Sequence, residues 1–319
     1  MVTDANGVAI SEPIRKGRYI VKENGATVGY FFEEVTLDAT VKSDETTELE
    51  ATNQPVMAKL RIYKRDADEY GGDIQNLSTR GDGELTGAEF QVLAAEDILD
   101  RQRNSVHAKG DIVVPSILTE GEDAAALTSD LWPGKYEIME VTPPAGYAAS
   151  DEHFFVDASS AAEQSEEAVI VYDGLKTNEI LYGAKAIVKL LGDDNTGPDP
   201  ERVETPEEGA EFEVYLASAG SYEDARELER DYLVTDENGY AMTKPLPYGM
   251  YVLRQTVAKD GYEIKGPILF EIKGTENLTN PPILTLTNMP ILYRLRFIKT
   301  DAETGRIITL ANTSFKLKD

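Results

Sequence analysis

The sequence predicts an all-β chain built from tandem β-sandwich modules stacked end to end as a rod. Three observations predict it. Spaced motifs recur with a period of about 115 residues. Short apolar runs alternate with Gly, Pro, Asn and Asp turns, as strands do in sandwiches. Only one stretch, Ser221 to Tyr232, has helical character, and it reads as an insertion between strands.

The repeat has three elements. The first is Gly-x-Tyr with a polar end, at Gly17-Arg18-Tyr19-Ile20-Val21-Lys22-Glu23, Gly134-Lys135-Tyr136-Glu137-Ile138-Met139-Glu140 and Gly249-Met250-Tyr251-Val252-Leu253-Arg254-Gln255. Six residues beyond each end stands Gly-Tyr, at Gly29-Tyr30, Gly146-Tyr147 and Gly261-Tyr262. The second is Thr-Asn at a strand end: Thr52-Asn53, Thr177-Asn178 and Thr287-Asn288. The third is a lysine eleven residues after each asparagine: Lys64, Lys189 and Lys299. An acidic, glycine-containing loop and a strand centred on Phe90, Phe212 or Phe315 follow, the first two introduced by Gly-Ala-Glu-Phe and the third by Asn312-Thr313-Ser314-Phe315. Val169–Tyr172 and Ile283–Leu286 read as strands. Thr3–Gly7 and Thr235–Gly239 read as hairpin turns.

The repeats divide the chain. Residues 55–181 and 182–290 each hold a complete module. Residues 1–54 hold only the second half of one, and 291–319 only the first half. Linkers this short predict stiff stacking. Met1 opens directly into a turn, and the sequence stops in mid-pattern at Phe315–Asp319, so a fragment or mature section of a longer protein is expected.

Composition removes several functions. The formal charge is -27, from 58 acidic and 31 basic residues, which excludes a nucleic-acid footprint and adhesion to anionic lipid. There is no cysteine, so disulfides, thiolate nucleophiles and Cys-ligated zinc are excluded. His107 and His153 are the two histidines, each in a polar stretch, which argues against a Ser-His-Asp triad or a histidine metal site. No apolar run approaches the ~18–20 residues of a membrane helix. No cofactor is expected. Asp66–Asp73 and Asp193-Asp194-Asn195 offer loop oxygens to calcium, but neither has EF-hand spacing, and solvated loops are the expectation. Trp132, before Pro133-Gly134, reads as a packed turn residue rather than a sugar platform.

The chemistry lies in the recurring polar residues. Side chains alternate across a strand. Lys64 therefore shares a face with Leu60 and Ile62, Lys299 with Leu295 and Phe297, and Lys189 with Ile187. Glu140 shares one with Tyr136 and Ile138, and Glu23 with Tyr19 and Val21. Lysine, carboxylate and strand-end asparagine can thus meet inside one sandwich. Burial favours a neutral amine and a protonated carboxyl. A neutral amine is a nucleophile. A protonated glutamate can hydrogen-bond the asparagine oxygen, polarise the carboxamide and shuttle protons as ammonia leaves. The product, a Lys–Asn amide, staples first and last strands without cysteine. The bland reading keeps the lysines snorkelling to water and the asparagines ending strands as turn residues. Lys59 and Lys185 lie nearby, and a one-residue register change would exchange faces. Lys64 and Lys189 are preferred because their positions agree across the repeats.

These elements resemble the Cna B-type and SpaA-type immunoglobulin-like modules of Gram-positive adhesins and sortase-assembled pilins. The resemblance covers nearly the whole chain through a first-strand lysine, Gly-Ala-x-Phe, a Gly-x-Tyr-x-x-x-Glu box ending in Gly-Tyr, and a last strand with asparagine. Pro143-Pro144-Ala145-Gly146-Tyr147 is close to the family's usual ending of that box. The resemblance implies that Lys64 is a nucleophile, Asn178 its acceptor and Glu140 the catalytic carboxyl. Gln255 stands where Glu is expected, and a carboxamide cannot shuttle a proton. Lys189 and Asn288 are therefore expected to lie close without reacting. The divided module places Glu23 and Asn53 at one end and Lys299 at the other.

The implied function is a stalk or fibre segment, extracellular and at the cell wall or surface, whose only chemistry is single-turnover self-crosslinking. Its expected partners are neighbouring modules of the same or an adjacent chain. Two rivals stand: a module binding a host glycan or matrix protein, marked by an exposed aromatic cluster, and an accessory region of a secreted polysaccharide-degrading enzyme. The divided module is either a boundary cut through a repeat array or a head-to-tail joint. In such a joint residues 291–319 of one chain complete residues 1–54 of the next.

Overall fold

The computed structural model describes residues 1–43, 45–193, 204–309, 311–312 and 314–317. The N-terminal segment holds β1 (Gly17–Lys22) and β2 (Thr36–Val41). The next segment holds β3 (Met57–Asp66), β4 (Glu89–Ala94), β5 (Ile98–Leu99), β6 (Ser105–His107), β7 (Ile112–Leu118), β8 (Ala125–Leu127), β9 (Lys135–Thr142), β10 (Phe154–Asp157) and β11 (Val169–Asn178). The last strand-rich segment holds β12 (Tyr182–Gly183), β13 (Ala186–Leu191), β14 (Thr205–Pro206), β15 (Glu211–Leu216), β16 (Arg230–Val234), β17 (Tyr240–Met242), β18 (Leu246–Pro247), β19 (Gly249–Val257), β20 (Ile268–Ile272) and β21 (Ile283–Asn288).

Both complete repeats fold as two facing sheets. In the first, the sheet β10-β9-β4-β7 faces β11-β3-β8. In the second, β16-β15-β19-β20 faces β14-β13-β17, with β21 added to β13. Alternation along the strands makes each core. Ala58, Leu60 and Ile62 of β3 point in and meet Phe90, Val92, Tyr136 and Ile138. Ile187 of β13 meets Phe212, Val214, Tyr251, Leu253 and Leu286. Each fully buried aliphatic side chain stabilises the fold by about 1.5–3 kcal/mol. Trp132 packs against the edge of the first core.

One topological fact positions the chemistry. The first and last strands of each sandwich are parallel neighbours. β3 pairs with β11, with Lys64 opposite Lys176 and Asn178 opposite Asp66. β13 pairs with β21, with Lys189 opposite Leu286 and Asn288 opposite Leu191. In both, the lysine and the asparagine two residues further along the partner strand share the inward face.

The Gly-Tyr dipeptides close each repeat in the same way. Gly29, Gly146 and Gly261 all have positive φ (87°, 89° and 80°), a backbone region that favours glycine. Their carbonyls accept the N–H of Val56, Leu181 and Ile291 at 2.7–2.9 Å. The tyrosines bridge to Pro55, Ile180 and Pro290. The first such closure seats the N-terminal segment on the first sandwich, where Phe31 packs against the core.

Between the two sandwiches Leu85, Ala124, Tyr147 and Ile180 form a cluster with Tyr182 and Tyr248. Polar groups key this junction. Gly81 donates its N–H to Glu229 at 2.8 Å, and Asp82 accepts from Ser218 at 2.7 Å and Met250 N–H at 2.8 Å. Arg226 donates to Thr79 O at 2.8 Å.

Five local expectations fail. Residues 221–232 form no α-helix: Ala217–Ala219 and Glu227–Glu229 are single 3-10 turns, and Arg230–Val234 is strand β16. Pairing of Arg230 with Tyr215 and Tyr232 with Glu213 overrides helix propensity. Thr235–Gly239 is a tight turn, but it links β16 in one sheet to β17 in the other, so it is no hairpin. Thr3–Gly7 turns around the Asp4 carboxylate, with no strand on either side. Leu295–Lys299 is not a strand, and Leu295 and Phe297 are exposed. A strand needs a neighbour for its ladder hydrogen bonds, and among the described residues no strand pairs with Leu295–Ile298. Phe315 also lies outside any strand and stacks on Phe297 with centroids 5.1 Å apart.

Candidate functional site

Lys64 follows Leu60 and Ile62 along the inward face of β3, and its side chain is fully buried, at 0% exposure. Its Nζ lies 3.5 Å from Arg65 O and 5.0 Å from the centroid of the Tyr147 ring. Tyr147 is held by donating its hydroxyl to Asp66 at 2.9 Å. Burial pushes the Lys64 pKa down to about 8, and the like charge of Lys176 adds to this, while Glu140 and Asp66 oppose it. The neutral, nucleophilic amine is therefore far better populated near neutral pH than that of an ordinary lysine, at about a tenth of the molecules at pH 7.

Glu140 reaches the site from the facing sheet, on β9 opposite Phe90. It lies against Asn178: the carboxamide nitrogen donates to Glu140 Oε2 at 2.5 Å and to Ala148 O at 2.8 Å. Two buried oxygens, Glu140 Oε1 and Asn178 Oδ1, have no hydrogen-bond partner among the described residues. The expected contact of Glu140 with the asparagine oxygen is thus replaced by one with the asparagine nitrogen. The cause is the Ala148 carbonyl, which only accepts hydrogen bonds and so fixes the amide's NH2 toward itself. Glu140 consequently sits on the carboxamide nitrogen rather than on the oxygen.

The second sandwich repeats the layout with different groups. Lys189 is fully buried, and Asn288 donates to Gln255 Oε1 at 3.1 Å. Gln255 in turn donates to Val257 O at 3.0 Å and lies opposite Phe212, as Glu140 lies opposite Phe90. Lys189 does not reach across to Gln255. It forms a 2.7 Å ion pair with Glu207. Burial lowers the Lys189 pKa, and the Glu207 carboxylate opposes that.

The N-terminal segment holds an acid–amide pair of the same kind. Asn53 donates to Glu23 Oε1 at 2.8 Å and to Phe31 O at 3.5 Å. Phe31 follows Gly29-Tyr30 as Ala148 follows Gly146-Tyr147. Lys299 lies in the exposed segment before the Thr300–Ile307 bridge, and its carbonyl accepts Ile308 N–H at 2.8 Å. Lys59 and Lys185 lie elsewhere: Lys59 pairs with Asp130 at 3.3 Å, and Lys185 Nζ stands 5.8 Å from the Phe270 ring centroid.

Three groups at these sites escaped sequence reasoning. The Ala148 carbonyl is a backbone atom with no side-chain signature. Lys176, two residues before Asn178 on the same face, was legible by strand alternation. Glu207 has no counterpart in the other repeat, where Leu85 stands two residues before Gly-Ala-Glu-Phe. The Asp66 carboxylate in the first acidic loop accepts from Asp68 N, Glu69 N, Arg80 N and the Tyr147 hydroxyl. Of the second acidic loop, Asp194 and Asn195 lie outside the described residues.

The family model of the SpaA prealbumin-like fold domain matches residues 58–170 and 201–281, more than half of the chain. The chain belongs to this SpaA family. Solved structures similar to this SpaA-type chain include the Bacillus anthracis TIE protein, at 26% identity over 91% of this chain and 44% of that one, with a TM-score of 0.46. The SpaA-type chain thus spans under half the length of that relative. They also include GBS52, the minor pilin of Streptococcus agalactiae, at 16% identity over 76% and 100% with a TM-score of 0.29. A third is a mutant form of the shaft pilin SpaA from Lactobacillus rhamnosus GG, at 12% identity over 75% and 100% with a TM-score of 0.29. No curated protein matches the chain in sequence. No helix among the described residues is long and apolar enough to cross a membrane.

Proposed function

We propose that the chain is a structural segment of a pilin-type or adhesin-type fibre at the Gram-positive cell surface. In this reading its first sandwich seals itself with an amide between Lys64 and Asn178. The observation that carries this is the meeting, inside one sandwich, of a buried lysine on the first strand and a buried asparagine on the last, with a carboxyl on the asparagine's leaving nitrogen.

The chemistry balances without a cofactor. The Lys64 Nζ lone pair attacks Asn178 Cγ, and the carbonyl electrons move to Oδ1. Glu140 accepts a proton from Nζ and returns one to Nδ2 at the 2.5 Å contact. The Cγ–Nδ2 bond breaks, the carbonyl re-forms and one ammonia leaves. Water exclusion favours the sequence at the start by raising the neutral fraction of the amine. The product ties first strand to last, so tension along the chain passes through a covalent link rather than a hydrogen-bonded ladder. Loss of about 17 Da relative to the sequence mass, abolished in Lys64→Ala, tests this condensation. An unchanged wild-type mass refutes it.

A second reading concerns the divided repeat and rests on the 2.8 Å Glu23–Asn53 contact. In it residues 291–319 of one copy complete residues 1–54 of the next and present Lys299 to that acid–amide pair. Exposed Ile20, Leu295 and Phe297 supply apolar surface for the docking. SDS-resistant oligomers that vanish in Lys299→Ala support this head-to-tail joint. Monomer alone at high concentration refutes it and leaves a boundary cut through a repeat array.

A further inference from the structure

Glu207 performs no function in the crosslinking account, yet it is a buried carboxylate, and its position is the main chemical difference between the two sandwiches. It directly follows β14, which extends the sheet on one edge of β13: Leu190 pairs with Pro206, Leu191 with Thr205, and Glu207 N–H donates to Lys189 O at 3.0 Å. Asn288 lies on β21, at the opposite edge of β13. The Glu207 carboxylate turns inward and meets Lys189 Nζ at 2.7 Å, with side-chain exposures of 3% and 0%. Its other oxygen accepts Lys259 N–H at 2.7 Å, and Lys189 Nζ also donates to Leu190 O at 2.8 Å. Carboxylate and ammonium are therefore both held by further hydrogen bonds, which a buried ion pair requires.

In the first sandwich a single carboxyl, Glu140, serves the asparagine and influences the lysine. In the second the two tasks are separated. Gln255 holds the amide, and Glu207 holds the amine on the far edge of its strand. We infer, on the crosslinking reading above, that Glu207 is a positioning residue that locks Lys189 as a charged, non-nucleophilic ammonium. The second sandwich is then closed by a reversible ion pair where the first is closed by a covalent bond. Gln255 for Glu140 and Glu207 for Leu85 make the contrast at the amide and the amine, beside Leu286 opposite Lys189 where Lys176 lies opposite Lys64.

The test exchanges these residues, with the first sandwich of the same molecule as internal control. Wild type is expected to lose ammonia once, between Lys64 and Asn178. Gln255→Glu alone is expected to crosslink Lys189 to Asn288 at least about tenfold more slowly than the double variant Gln255→Glu/Glu207→Leu, since a general acid–base gains little while its amine is held charged. The double variant is expected to lose a second ammonia, mapped to Lys189–Asn288 by peptide mass spectrometry. A Lys189–Asn288 bond in wild type, equal rates in the single and double variants, or no second loss in the double variant each overturns the lock. Thermal unfolding provides a readout independent of crosslinking. Glu207→Gln lowers the midpoint of the second sandwich by roughly 10–20 °C, because it leaves a buried charge unpaired. The apolar exchange Lys189→Met/Glu207→Leu recovers most of that loss. An unchanged midpoint in Glu207→Gln refutes the ion pair even if the first sandwich fails to crosslink, which separates this failure from failure of the crosslinking reading.

Discussion

Replacing Glu140 by glutamine gives the first sandwich the group that the second carries at Gln255, with little change of volume. The carboxamide can still hold Asn178, but it cannot move a proton from Nζ to Nδ2. The bond from residue 64 to residue 178 closes a loop of about 114 residues, and removing that constraint from the unfolded chain costs about 5 kcal/mol of stability. A module of about 125 residues unfolds with an entropy near 0.26 kcal/mol/K, so the midpoint should fall by about 20 °C. The loss concerns the first sandwich alone. Lys64 is then buried without the nearby charge of Glu140, which adds to the destabilisation rather than offsetting it. Differential scanning calorimetry resolves the two sandwiches, and mass spectrometry on the same sample reports the bond. Glu140→Gln protein that melts with wild type, or that still lacks one ammonia relative to its own sequence mass, would refute the reasoning.

Other consequences follow from the same contacts. Burial holds the Lys64 pKa near 8, so its neutral fraction is about a hundredth at pH 6, a tenth at pH 7 and a half at pH 8. Bond formation in freshly refolded protein should accelerate about tenfold from pH 6 to pH 7 and level off above pH 8; a rate flat from pH 6 to 8 contradicts the burial argument. Gly81 has φ +57°, and a Cβ there would collide with Tyr248 O. Gly81→Ala should therefore loosen the junction while both sandwiches stay folded, seen as faster proteolysis near Ile180–Tyr182 and an unchanged ammonia loss. Under single-molecule pulling the second sandwich should extend by about 380 Å, from about 109 residues at 3.5 Å each, while the segment behind the Lys64–Asn178 bond stays closed.

Much of this site was legible because strand alternation and repeat spacing are strong constraints. Lys64, Glu140 and Asn178 stand out as polar residues on otherwise apolar faces, and their offsets agree across repeats. The same method failed where one repeat differs from the others. Glu207 has no repeated partner, so agreement between repeats could not reveal it, although a glutamate aligned with buried Leu85 was a signal. The orientation of the Asn178 amide is set by the Ala148 carbonyl, which no residue type encodes. Ser221–Tyr232 reads as helical because its charged residues favour a helix locally, whereas the strand Arg230–Val234 that overlaps it is fixed by pairing with Glu211–Tyr215, some twenty residues away. Leu295–Lys299 has the alternation of a strand but no neighbouring strand among the described residues, and alternation alone does not form a ladder.

The central claim is that the first sandwich forms its own covalent bond while the second is held closed without one. Proteolysis of the wild-type protein followed by tandem mass spectrometry tests it most directly. The account predicts one branched peptide joining Lys64 to Asn178, about 17 Da lighter than its two parts, and unmodified peptides containing Lys189 and Asn288. Linear peptides alone around Lys64 and Asn178 would contradict it.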